Sequence, residues 1–211
     1  MVENGYPRQS RRMDHPSPEP VVREPFTLAA RAADRLFTAR TVLLFGEIDT
    51  ALADRVCTEL LALAADSDKP IKMIVHSPGG HVEAGDSIHD VVRFIRPDVH
   101  MIGSGWVASA GALVFVAARP EHRVALPNTR FLLHQPLGGA KGHATDIEIE
   151  VRQIVAMRER LNRIFARETR RTLEQIVADT ERNFWMTATE AKEYGLIARI
   201  VERFEDVGGD G

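Results

Sequence analysis

One cysteine, Cys57, is the only thiol in 211 residues, so no internal disulfide can form and a reducing compartment is the natural setting. No apolar stretch approaches the ~18 residues that span a bilayer. The longest, Ala108 to Ala118, is rich in small residues and reads as a buried core helix. The opening MVENGYPRQSRRMDHPSPEP lacks the apolar run of a secretory signal peptide. Positive charge is not in excess: 27 Lys+Arg stand against 30 Asp+Glu, which argues against nucleic acid as a partner. Eight histidines are present, but no two stand at clear ligand spacing with a carboxylate, so neither a metal nor another cofactor is expected. What remains, 44% hydrophobic and 27% charged, fits a soluble, cytoplasmic chain with one core and no membrane segment.

Residues 1–30 carry proline, serine and unpaired charge without periodicity and are expected to form a flexible extension. A single domain is expected over 31–205, with a flexible tail over 206–211. Within the domain, strands and helices alternate. TVLLFG (41–46), IKMIVHS (71–77), VHMIG (99–103) and RFLLH (130–134) read as strands. Helical spacing covers 50–65, 82–95 and 108–118, with Pro97 ending the second of these. This order predicts an α/β fold with largely parallel strands and ligand groups at the strand-to-helix turns. From Asp146 to Arg170 a long amphipathic helix aligns Ile147, Val151, Ile154, Leu161 and Phe165 on one stripe, as a helix packing on another chain would. Two short helices, to about Glu181 and over 187–194, and a closing strand ARIVE follow.

Three local features carry chemistry. Ser109 sits in GSGWVASAGA at a strand-to-helix turn, where small neighbours permit a sharp backbone and close approach to the hydroxyl. A lone serine is more often a surface hydroxyl or a helix cap. His134 ends an apolar strand before Gln135-Pro136, a position that a structural histidine also occupies. SPGGHVEAG (77–85) sets two glycines before a helix, either to expose consecutive N–H groups for an oxyanion or only to make a tight turn. Taken together they supply the nucleophile, base and oxyanion donors of an acyl-transfer site.

On SPGG, IGSGWVASAGAL, RVALPNTRFLLHQPLGGAKGHATDIEIE and LEQIVADTERNFWMTATEAKEYGLI, in register over roughly 36–203, the chain resembles the proteolytic subunit of the Clp (caseinolytic) ATP-dependent protease family. The resemblance implies a crotonase-like α/β domain with a protruding handle helix, from about residue 142 to 165. It implies two stacked heptameric rings, homomeric or mixed, served by a hexameric AAA+ unfoldase that feeds in unfolded polypeptides. By motif it makes Ser109 the nucleophile of a serine endopeptidase and His134 the base, with the amides of Gly80 and Ala110 as the oxyanion hole. The edges at Gly79 to Val82 and at Pro136, Leu137 and Gly138 then hold an extended peptide by backbone pairing.

The position that carries an acid in the family motif is Asn183, which has the shape of an aspartate without its charge. Asp179 and Glu181 are the nearby carboxylates that could substitute. The alternative reading is therefore a weakly active or inactive ring subunit that supports a competent paralogue. A crotonase-type acyl-CoA enzyme would leave the Ser109–His134 pair unexplained. Three further departures stand out. His76 replaces an asparagine before SPGG and reads as structural, or as supporting the site from behind it. Lys72 and Ile74 replace aromatic residues of the ATPase docking cleft, and Trp106 replaces a smaller residue and reads as packing.

Overall fold

The computed structural model describes Met1, residues 27–139 and residues 141–208. The expected extension over 1–30 lies outside them except at Met1 and at 27–30, where Leu28 already opens a helix. Of the expected tail, 206–208 lie in a 3-10 turn, Phe204–Gly208, and the rest is outside.

Helix α1 (Leu28–Thr38) begins at Thr27, whose side chain accepts from the Ala30 N–H. Strand β1 (Thr41–Phe45) and helix α2 (Thr50–Asp66) follow, the helix capped by the Asp49 carboxylate on Leu52 N–H. Strand β2 (Ile71–Ser77) alternates buried and half-buried residues, the period of a pleated strand. Helix α3 (Val82–Phe94) leads to β3 (Val99–Ala108), and β3 leads to α4 (Ala110–Phe115). After β4 (Arg123–Ala125) and β5 (Arg130–Leu133) comes the long helix α5 (Ala144–Thr169). Helix α6 (Leu173–Thr180), strand β6 (Phe184–Thr187), helix α7 (Ala188–Tyr194) and strand β7 (Arg199–Ile200) complete the described chain.

The sheet runs β1-β2-β3-β4-β7, all parallel, as the alternating sequence pattern requires. β3 serves two neighbours. Its first half, at Met101–Gly103, pairs with β4, and its second half, at Trp106–Ala108, pairs with β5. β6 then adds antiparallel to β5. The strand bends between its halves at Gly105, whose φ of 62° is a glycine conformation. A Cβ there would lie 2.5 Å from His76 Nδ1, which donates to the Ser104 carbonyl at 3.0 Å. His76 is thus a wedge that supports the bend.

Inside the core, Arg123 is fully buried and donates to the carbonyls of Val116, Ala118 and Glu168 and to the Glu168 carboxylate. This clasp ties the end of α4 to the end of α5. Replacing Glu168 by alanine strands a buried cation, and denaturant unfolding should register a loss of about 3–5 kcal/mol.

Candidate active site

Ser109 is the joint between β3 and α4. Its backbone lies at φ 54°, ψ −121°, a region that non-glycine residues rarely occupy and that costs roughly 1–3 kcal/mol. The surroundings hold it there. Ser109 N–H donates to the Leu132 carbonyl of β5 at 2.9 Å, and the Ser109 carbonyl accepts from Ala112 and Leu113. Close packing explains the small residues around it. A Cβ on Gly79 would lie 2.6 Å from Ser109 Cβ, and one on Gly111 would lie 3.1 Å from Ser77 Cβ.

The SPGG turn is pinned from two sides. Ser77 Oγ accepts from Gly79 N–H, the Gly79 carbonyl accepts from Ile48 N–H, and His81 N–H donates to the Ile48 carbonyl. That bridge to Ile48 leaves the Gly80 N–H outside it. Ala110, first residue of α4, likewise has an N–H with no acceptor inside its helix. The two turns touch, since a Cβ on Gly79 would lie 3.2 Å from Ala110 N.

His134 follows β5 directly, where Gln135 is fixed by its N–H to the Thr180 carbonyl and its side chain to the Glu181 carbonyl. The antiparallel pairing of Leu133 with Phe184, carried one step further, sets His134 opposite Asn183. Burial pushes the His134 imidazole below its ordinary value, and a hydrogen bond with the Asn183 side chain opposes that shift. Ser109 shares a cleft of about 20 Å³ with His134, Ala110, Val82 and Pro136, while the hydrogen bond acting on the ring is the one to Asn183.

Leu137 and Asn183 line an adjoining hollow of about 340 Å³ on the other side of His134. Gly138 turns away onto α5, where a Cβ would meet Ile154 at 2.9 Å. Neither nearby carboxylate is free to replace the missing one. Asp179 accepts from the Tyr194 hydroxyl at 2.7 Å, and Glu181 pairs with Arg158 at 2.6 Å. A larger hollow of about 510 Å³ lies between α1, β1 and α2 and holds none of these residues.

The apolar stripe of α5 divides. Leu161 and Phe165, expected to face another chain, are buried and close the back of the Ser109 cleft. Ile147 and Val151 stay exposed, joined by Ile149 and Val155. Nothing in an even stripe marks where its partner changes. Among the described residues, no helix is long and apolar enough to cross a membrane.

A strained serine at a strand-to-helix joint beside a histidine, on a parallel sheet whose third strand serves two neighbours, has the architecture of the crotonase-like α/β fold. The Clp protease family model matches residues 27–204, further at the N-terminal end than the motifs alone reach. The ATP-dependent Clp protease proteolytic subunit 2 of Gluconobacter oxydans is 58% identical over 192 residues, 88% of this chain and 86% of that one. Subunit 3 of Rhizobium etli is also 58% identical, over 172 residues, 82% of this chain and 89% of its own. Among solved structures, an asparagine-to-aspartate mutant of ClpP1 from Listeria monocytogenes superposes with a TM-score of 0.78 at 46% identity. That match covers 83% of this chain and 99% of the other. The chain belongs to the Clp protease family.

Proposed function

We propose that this chain is a serine endopeptidase subunit of a barrel-shaped, ATP-dependent protease, hydrolysing unfolded polypeptides delivered by an AAA+ unfoldase in the cytoplasm. The observation that carries the reading is the strained Ser109 elbow sharing one cleft with His134. Neutral His134 takes the Ser109 hydroxyl proton as Oγ attacks the scissile carbonyl. The Gly80 and Ala110 N–H groups donate to the oxyanion that forms. Collapse returns the proton to the leaving amine, and water then hydrolyses the acyl-enzyme by the same steps in reverse order. Extended substrate lies along the edges at Gly79 to Val82 and Pro136 to Gly138, with Val82 and Pro136 beside the nucleophile. Asn183 orients the ring without adding charge.

A fluorophosphonate probe tests this. It should label Ser109 in the wild-type assembly and leave the Ser109→Ala protein unlabelled; an unlabelled wild type, alone or mixed with a paralogous ring, would sink the proposal. The base must be neutral, so the labelling rate rises with pH. Because burial lowers the His134 value, the midpoint of that acid limb falls below the ordinary value of about 6.5.

A second reading is favoured by one observation. Asp179 and Glu181 are both engaged elsewhere, so no carboxylate completes the triad, and the chain then acts as a weak ring subunit supporting an active paralogue. Two stacked heptamers fit the exposed outer half of α5. At the expected ATPase docking positions, Lys72 lies over the Phe204 ring at 4.3 Å, and Ile74 packs on the cluster containing Val207. The C-terminal turn covers that face, which favours a partnership different from the family's usual one.

A further inference from the structure

The chain has two tryptophans, Trp106 and Trp185, and they stack on each other. Their ring centres are 6.3 Å apart and their planes 7° from parallel. The Arg130 guanidinium lies 4.4 Å from the centre of the Trp185 ring. Each member comes from a different strand: Trp106 from β3, Arg130 from β5 and Trp185 from β6. Trp106 is the direct partner of Arg130, and Trp185 stands opposite Leu132, the next residue on the Arg130 face of β5.

Those three strands are the ones that present the site. β3 runs into Ser109, β5 runs into His134, and β6 starts immediately after Asn183. Their pairing is short. β5 and β6 have four residues each, and among the described residues β6 pairs with no strand but β5. A one-residue slip in so short a ladder would turn every side chain to the wrong face. The site is also unusually dependent on geometry, because an amide at 183 has no charge with which to hold the imidazole.

We propose that the Trp106–Arg130–Trp185 stack is a staple across β3, β5 and β6 that fixes the relative placement of Ser109, His134 and Asn183. This rests on the reading of those three as the reacting group. Its members line neither hollow beside His134 and are positioning residues: cross-strand aromatic and cation–π contacts lock the register from outside the cleft.

The test uses the assembled, full-length protein with Trp185→Ala, Trp185→Phe and Arg130→Gln. Small displacements of a reacting pair cost up to about 10²-fold, so Ser109 acylation by a small fluorophosphonate should fall at least about tenfold in Trp185→Ala. For a peptide substrate, kcat falls while KM stays within about twofold, and Trp185→Phe, which keeps a stacking ring, restores most of the rate. Circular dichroism reports the loss of indole–indole coupling, and amide exchange over β5 and β6 rises. Acylation unchanged after the coupling is lost, or a phenylalanine variant as slow as the alanine one, overturns the staple. If Trp185→Ala does not assemble, Arg130→Gln is judged by the same rates. If wild-type Ser109 does not react at all, the triad reading fails instead. Amide exchange at β5 and β6 then decides the staple alone: a rise supports it and no change refutes it.

Discussion

Replacing Asn183 by aspartate raises peptide-bond turnover by the assembled protein, by at least about tenfold and by as much as about 10⁴-fold. The lower bound applies where the amide oxygen already accepts from the His134 ring, so that orientation is in place and only charge is gained. The upper bound applies where the amide NH₂ faces the ring and favours the wrong tautomer. The direction follows from one feature of the site. In the proposed acylation His134 becomes a cation in a half-buried cleft where burial already disfavours charge. An aspartate stabilises that cation and an asparagine does not. Aspartate should also raise the imidazole pKa, moving the acid limb of the pH profile upward as kcat rises. Steady-state peptide cleavage across pH measures both. An unchanged kcat would mean that another group already supplies the charge, a role that the partners of Asp179 and Glu181 leave them no room to play.

The second large effect lies far from the cleft. A Val155→Asp substitution should separate the two proposed rings and reduce peptide cleavage by about 10²-fold or more. Val155 is 51% exposed on the outer half of α5, in line with Val151 at 48% and Ile147 at 37%. Apolar side chains at helical spacing, left open on a helix whose inner half is buried, require a partner surface. In the proposed pair of stacked heptamers each substitution is repeated around the interface, so one carboxylate per chain becomes a belt of unpaired charge. Sedimentation should show the single ring, while the melting temperature of each subunit changes little because Val155 contributes nothing to its own core. An intact double ring carrying Val155→Asp would move the ring contact elsewhere.

Most of the architecture could be read in the sequence wherever burial imposed a period. β1, β2, α2 and α3 fall within a residue of their expected bounds. The missed elements lack that imprint. α1 buries none of its residues, so no core-facing pattern marks it. β6 is a four-residue edge strand with only Met186 buried, too short to alternate legibly. The expected strand over 99–103 stops at Gly103, yet β3 continues to Ala108 by bending at Gly105 over His76. That extension also shortens the expected helix 108–118 to Ala110–Phe115, since Ser109 at positive φ cannot be helical. In the site, Ser109, His134 and Asn183 were legible as motif positions. Leu161 and Phe165 were visible only as part of a stripe, and their place behind the cleft needs the tertiary fold.

The Arg123–Glu168 clasp has a consequence for how this chain can change over time. Arg123 alone satisfies three carbonyls, and Glu168 alone neutralises it inside the core. A lineage that loses Glu168 first must pass through a subunit with a stranded Arg123 charge, whereas one that loses Arg123 first keeps Glu168 paired with Arg93 and Arg167. Exchanging both at once for apolar residues removes the charges but leaves those three carbonyls without their donor. The order of loss therefore matters, because Arg123 constrains Glu168 more tightly than Glu168 constrains Arg123.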